Sequence, residues 1–234
     1  MKQILNFTKL LFVMQKKNTL FGFIIGLFPA LITSVSIEFF IGRLIGFGDQ
    51  DLPVGFKALN VLFFFLISQS LSLSLTSLTK YKKIVKNSYL KPDTIIYSEI
   101  ILQCLNFIIL FLLFSIIFNF TFLQIILISL VVLILIIYIT FLSLLYSALA
   151  VIIDDFNRIL GIILQITFWL SPIIYTLRDV TSSIRYIIMC NPFNLFYELV
   201  YLVFLPEKLN ANILYLSFSS TLIFSIVCFL ILNN

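Results

Sequence analysis

There is no histidine anywhere in the chain, which removes the commonest general base and metal ligand from its repertoire. The three cysteines, Cys104, Cys190 and Cys228, stand at spacings that match neither a disulfide framework nor a metal motif, so each reads as a small apolar filler. No Walker sequence, dinucleotide-binding glycine pattern, nucleophile elbow or pair of acids within an apolar run occurs. The chain therefore reads as a non-enzyme that binds no cofactor of its own; if it does ATP-driven work, the ATPase is another chain. Internal repeats are missing as well. Charge is scarce: at 11% charged and 62% hydrophobic, with a mean hydropathy of +1.17, the composition excludes a soluble globular domain, in which about a quarter of the residues are charged. Strands of a membrane barrel alternate polar and apolar over about ten residues, whereas the runs here are apolar on every side. The fold class is all-α integral membrane.

What is present is a set of long uncharged runs, at 18–37, 58–79, 100–153, 159–177 and 209–234. A helix needs about 20 mostly apolar residues to cross a hydrocarbon core of roughly 30 Å. The run 100–153 is too long for one helix and breaks at Asn119-Phe120-Thr121, so it divides into two helices joined by a tight turn. Six transmembrane helices follow, at about 20–43, 58–79, 97–118, 122–153, 159–177 and 209–231, all within a single domain, 1–234. Crossings three and four are Leu, Ile and Phe with few small residues, and read as packing helices facing lipid. Ahead of them, residues 1–17 carry Lys2, Lys9 and Lys16 at a seven-residue spacing, with Ile4, Leu5, Leu11 and Phe12 on the opposite side of a 3.6-residue helix. That is an amphipathic helix lying in the interface. A secretory signal is the alternative, but no small-residue cleavage site follows.

Lysine and arginine set the orientation. The densest segment holds Lys80, Lys82, Lys83, Lys86 and Lys91, the last followed by Pro92 and Asp93. In the six-span arrangement ten lysines and arginines fall on this face and five on the other. The positive-inside rule then places both termini in the cytoplasm. It also explains the net charge of +5 without nucleic acid as a partner. At the far end of the first crossing stand Glu38 and Arg43. An acid within the membrane is a candidate functional residue, but a place at the far interface, where both side chains cost little, accounts for them.

The stretch 154–192 carries most of the functional information. The cluster Asp154-Asp155-Phe156-Asn157-Arg158 reads as a cytoplasmic elbow whose acids favour the positive end of a starting helix. An uncharged crossing follows, with Trp169 and Ser171-Pro172 near its far end. Pro172 removes a hydrogen bond to the Phe168 carbonyl and is expected to bend the helix there. A polar stretch, 178–185, leads to Asn191-Pro192, which has the chemistry of an N-cap followed by proline at the first helical position. The helix so opened, 192–205, stops at Pro206, and its 14 residues span about 21 Å, too short to cross. It reads as an outer re-entrant segment between spans five and six; a connector lying on the surface is the alternative. Trp169 follows Ile159 by ten residues, about 15 Å, which places it near mid-depth, away from the usual interfacial belt. Its N–H needs a partner or water there. A conduit shared with Phe168 and Tyr175 would supply one, and packing between helices is the other reading.

In order and in motif, the chain resembles the ABC-2 type transporter permeases, and among them the polysaccharide exporters for O-antigen, capsule and teichoic acid precursors. The resemblance rests on the amphipathic N-terminal helix, the six spans, the basic loop with Lys91-Pro92, the acidic elbow at Asp155, the fifth span ending Ser171-Pro172-Ile173-Ile174-Tyr175, and Asn191-Pro192. It implies a homodimer around a central conduit in the bacterial cytoplasmic (inner) membrane, with a lipid-linked glycan as substrate. It also implies a cytoplasmic nucleotide-binding subunit that holds ATP and Mg and hydrolyses the ATP. The expected coupling residues are Lys80, Lys82, Lys83, Lys86, Lys91, Pro92, Asp154, Asp155 and Arg158; those of the conduit and gate are Phe168, Trp169, Ser171, Pro172, Tyr175, Asn191 and Pro192. Two positions depart from the family pattern: Asp154-Asp155 replaces the usual Arg-Asp, and Tyr201 stands where many relatives have an arginine. The competing functions are an ABC-2 exporter of a drug, peptide or lipid, and a non-transport membrane scaffold.

Overall fold

The structure is a computed structural model that describes residues 2–17, 22–44, 52–81, 91–153 and 155–233. Every regular element among these residues is helical. In chain order they are α1 (Lys2–Lys17), α2 (Gly22–Ser36) running on into a π-helix (Ile37–Leu44), α3 (Phe56–Lys80), α4 (Pro92–Ile117) and α5 (Phe122–Ile152). Then come α6 (Phe156–Trp169), α7 (Ser182–Met189), α8 (Asn194–Phe204), a 3-10 turn (Pro206–Lys208) and α9 (Ala211–Asn233).

The bundle is built around α3, which packs against α2, α4, α5, α6 and α8. Its buried face joins large and small residues: Leu59, Phe63, Ile67, Leu71 and Leu75 with Ser70, Ser74 and Ser77. Small residues let neighbouring backbones approach, which is how membrane helices associate where apolar burial gives no advantage over lipid. The Ser74 and Ser77 hydroxyls donate to the carbonyls of Ser70 and Ser74, so they enter the core without an unmet donor. Phe63 meets Phe107 of α4 edge to face at 5.5 Å, which fixes α3 and α4 as an antiparallel pair.

Two ends of this bundle result. At one lie Lys80, Lys91 and the α5–α6 junction; at the other lie Phe56, the α4–α5 turn and α8. The turn is where the sequence predicts it. Asn119 takes φ of 54°, a left-handed conformation that asparagine tolerates. Thr121 then caps α5 reciprocally with Gln124: the Gln124 N–H donates to Thr121 Oγ1 at 3.3 Å and the Thr121 N–H to Gln124 Oε1 at 2.9 Å. At the same end Glu38 is buried, and its Oε2 accepts the Ala58 N–H at 3.2 Å. Ala58 lies in the first turn of α3, whose N–H groups have no partner within the helix. Glu38 is thus a capping acid for the central helix rather than a low-cost interfacial residue.

Several boundaries differ from those read from sequence. Three described helices are long and apolar enough to cross a membrane: Phe56–Ser77, Pro92–Ile117 and Phe122–Ala150. The segments Leu27–Ile41, Phe156–Trp169 and Ala211–Val227 are apolar but shorter. Pro92 does not sit in a turn inside a loop; it opens α4 at the first helical turn, where its missing N–H leaves no bond unmade. The expected span 159–177 ends at Trp169, so Pro172 terminates the helix region instead of bending it. Residues 182–189, read as polar connection and apolar run, form α7, and this helix meets α8 at 108°. Finally, α8 begins at Asn194 with Phe193 at its N-cap, two residues beyond the expected Asn191-Pro192 start, and it does end before Pro206.

Gly55, just ahead of α3, has φ of +94°, and a Cβ there would lie 2.4 Å from the Phe118 ring. Both strain and clash oppose any side chain. Gly55→Ala should lower the stability of the purified protein by about 1–3 kcal/mol, read as a depressed thermal unfolding midpoint in detergent; an unchanged midpoint would mean that the α3 start is not closed against the α4–α5 turn.

Candidate functional site

At the basic end, α1 lies against α4. Phe7 and Leu11 are buried with Tyr81, Ile95 and Leu102, and the Phe7 and Tyr81 rings meet edge to face at 5.6 Å. The Ser98 hydroxyl lies 3.2 Å from the Ile4 carbonyl of α1 and 2.7 Å from the Thr94 carbonyl of its own helix. Burial, and behind it the Glu99 carboxylate, push the Tyr81 hydroxyl above its ordinary value. Lys80, with its ammonium 5.5 Å from the Tyr81 ring centroid, Lys91 and Pro92 are all exposed around this cluster. So three of the expected coupling residues share one corner, held by α1. Lys82, Lys83, Lys86 and Asp154 lie outside the described residues.

The elbow is a different kind of contact. Asp155 occupies the N-cap position of α6, yet its side chain accepts nothing from the first turn. It pairs instead with Arg158 at 3.3 Å, and with these side chains 71% and 86% exposed the pair adds little stability.

At the opposite end the chain leaves α6 at Trp169 and has no helix until Ser182. Every backbone group in between must find a partner outside a helix ladder. Asn191, buried, is the hub: its Nδ2 donates to Ser171 Oγ at 2.9 Å and to the Leu170 carbonyl at 3.3 Å, and its Oδ1 accepts the Phe193 N–H at 3.0 Å. Asn60 of α3 donates to the Pro172 carbonyl at 3.4 Å. Asn194 donates to the Ile188 carbonyl, closing the α7–α8 bend. Asp179 Oδ2 accepts both the N–H and the hydroxyl of Thr176, at 2.9 and 2.8 Å. Beside this network Arg178 pairs with Glu198 of α8 at 2.7 Å.

Of the expected conduit and gate residues, Ser171, Pro172 and Asn191 are thus brought together and buried, with Pro192 half-buried next to them. The Phe168 and Trp169 rings meet edge to face at 5.5 Å. Phe168 turns toward α3 and meets Phe64 at 4.9 Å, while Trp169, 66% exposed, points away from the core. The Tyr175 hydroxyl donates to the Trp169 carbonyl at 3.0 Å. Asn60, Asn194, Arg178 and Glu198 were not among the residues singled out from sequence. Two of them carried a signal: Asn60 lies inside an uncharged run, and Glu198 interrupts one, and polar groups within apolar runs mark functional sites.

A further feature belongs to α3. Gln69 and Thr76 are exposed and Ser68 and Ser72 half-buried, and the 69–72–76 spacing puts these on one face of the helix. Helices α2 and α6 both pack on α3. Helix α6 buries only Phe156, Leu160 and Leu164, leaving Gly161 in open space and Gln165 exposed. Where α2, α3 and α4 meet, Pro29, Gln69, Gln103 and Asn106 line a small cavity, and Asn106 Nδ2 donates to Gln103 Oε1 at 3.3 Å.

No curated protein matches the chain. The sequence model of the ABC-2 type transporter family does, over residues 3–205, which takes in α1, the bundle around α3, the irregular segment after α6 and the α7–α8 pair. On that match the chain belongs to the ABC-2 type transporter family.

Proposed function

We propose that the chain is the permease subunit of an ATP-driven exporter that moves a lipid-linked polysaccharide, or its precursor, out of the cytoplasm across the bacterial inner membrane. The observation that carries this reading is the polar face of α3. Gln69 is exposed near the middle of the α3 crossing, where lipid offers it no hydrogen bond. Water or a polar cargo does. The Ser68 hydroxyl donates back to the carbonyl of Phe65, so its oxygen can still accept a bond. Together with the Gln69 and Gln165 carboxamides this is a neutral surface of many weak acceptors and donors. Such a surface suits a polyhydroxylated chain that must slide, since no single contact holds it.

In this reading the chain crosses six times with both termini cytoplasmic. Helix α2 with its π-helical extension forms the first crossing, α6 and the irregular segment beyond it the fifth, and α9 the last. A second copy covers the open Gly161–Gln165 face of α6, where the lack of a side chain at Gly161 admits a close approach. The partner ATPase docks at the basic end, against α1, Lys80, Lys91 and the loop between them. It holds the ATP and Mg; this chain holds neither.

Three experiments test the reading. Reversing Lys82, Lys83 and Lys86 to Glu should lower co-purification of the ATPase subunit while the protein still inserts; full recovery of the ATPase together with lost export would move the contact elsewhere. Gln69→Leu combined with Thr76→Val should reduce surface glycan at least about tenfold at normal protein levels, the effect of 1.4 kcal/mol on a rate-limiting passage. Unaltered surface glycan in that double variant would remove α3 from the path. For Trp169, whose ring projects from the last turn of α6, loss of export in Trp169→Ala with recovery in Trp169→Phe is expected for an aromatic face along the conduit, and normal export by Trp169→Ala rejects it.

A further inference from the structure

Arg178 reaches three segments at once. Its Nη2 donates to Glu198 Oε1 at 2.7 Å and to the Lys208 carbonyl at 2.8 Å, and its Cζ lies 4.1 Å from the Tyr201 ring centroid. One guanidinium therefore joins the irregular segment after α6 to the middle of α8 and to the 3-10 turn beyond it. The backbone from which it projects is itself held: Arg185 of α7 donates to the carbonyls of Arg178 and Val180, at 3.3 and 2.8 Å. The cleft beneath, between α3, the irregular segment and α8, is nearly closed by Phe56, Pro172, Tyr175, Tyr197 and Tyr201.

Both charges are largely out of water, with the Arg178 side chain 19% and the Glu198 side chain 3% exposed. Removing two charges from water costs about as much as their attraction returns, so a buried pair is weak evidence for stability and is best attested as a register or switch contact. Two features of this pair favour the switch. The α7–α8 bend is already held by neutral bonds from Asn191 and Asn194, so its shape does not require the ions. In addition, Arg178 Nη1 is buried without a hydrogen-bond partner. The guanidinium is thus incompletely satisfied in this arrangement and gains a bond to water when α8 moves away. Tyr201, the departure from the family pattern, supplies the flat face on which the arginine rests.

We propose that Arg178 and Glu198 form a latch that holds α8 across the outer mouth of the substrate path and parts during each transport cycle. Both are positioning residues: they set where α8 sits and do not touch the cargo. The inference rests on the transport reading above, so its test uses a probe that is independent of the cargo.

The complex of this chain with its ATPase subunit is reconstituted into vesicles loaded with carboxyfluorescein, and dye release is followed without ATP. In Arg178→Met with Glu198→Leu, both charges are replaced by apolar groups of similar size, so the thermal unfolding midpoint should stay near wild type. Dye release should rise several-fold. Glu198→Leu alone, which strands a buried guanidinium, should instead lower the midpoint. Wild-type tightness in a double variant that unfolds at the wild-type midpoint overturns the latch. Should the double variant fail to fold, a second arm applies: Arg178→Cys with Glu198→Cys, in a background with Cys104, Cys190 and Cys228 changed to Ala. These positions are joined by a cleavable thiosulfonate linker, because the Cβ atoms of an ion pair stand farther apart than the roughly 3.8 Å of a disulfide. Linking should arrest ATP-driven export and reduction should restore it; export that continues while linked overturns the proposal. A leaky double variant beside a wild-type protein that exports no glycan would uphold the latch and reject the cargo, whereas a tight, folded double variant beside normal glycan export would reject the latch alone.

Discussion

Hydrocarbon offers no hydrogen bond, and the end of the bundle away from Lys80 is arranged around that fact. A helix satisfies its own backbone, but from Leu170 to Thr181 this chain has none. Asparagine, Arg185 and Asp179 side chains share the substitution with turn bonds of the backbone. Asn191 serves the Leu170 carbonyl, the Ser171 hydroxyl and the Phe193 N–H, Asn60 serves the Pro172 carbonyl, and Asn194 serves that of Ile188. A buried group left without such a partner costs about 1–3 kcal/mol, so a handful of amides is comparable to the whole stability of a modest domain. The carboxamide suits the task because it carries donors and an acceptor and no charge to desolvate. Helices α7 and α8 meet at 108°, with Asn191, Phe193 and Asn194 buried at the bend.

Helix α3 answers the same constraint in two ways. Its buried Ser74 and Ser77 bond back to the helix and, as small residues, let α4 and α5 approach, so polarity there serves packing. On other sides Gln69 and Thr76 are exposed. A helix in lipid normally hides its polar residues; this one hides some and displays others. Helix α6 buries Phe156, Leu160 and Leu164 and adds the Phe168–Phe64 ring contact.

Charge is used sparingly and at boundaries. Glu38 stands at the first turn of α3, where unmet N–H groups and the helix dipole favour an acid. Arg178 and Glu198 meet between elements that no backbone ladder connects. The exposed Asp155–Arg158 pair, by contrast, is solvated and worth little, although the sequence marks it more conspicuously. Conspicuous charge and consequential charge are different residues here.

Composition and run length were enough to determine a helical membrane protein, the position of the α4–α5 turn, an amphipathic first helix and a short helix ending before Pro206. These depend on local rules: apolar length, helix period, capping chemistry and proline geometry, each readable within about ten residues. The family resemblance was legible for the same reason, since its motifs lie in one stretch, 154–192. What needed the tertiary structure was every role set by residues distant in sequence. Asn60 and Pro172 are 112 positions apart, Glu38 and Ala58 20, and Arg178 and Lys208 30. Pro172 was read as a bend because proline weakens a helix that continues, but Asn60 and Asn191 supply the partners that let the helix stop. Likewise the uncharged run 58–79 gives no hint of which serines are inside, because its polar residues fall on every side of the helix and only the neighbours define the faces. Sequence set that the chain is helical and its polar groups scarce; packing decided where the helices after Trp169 begin and end, and which of those polar groups find a partner within the protein.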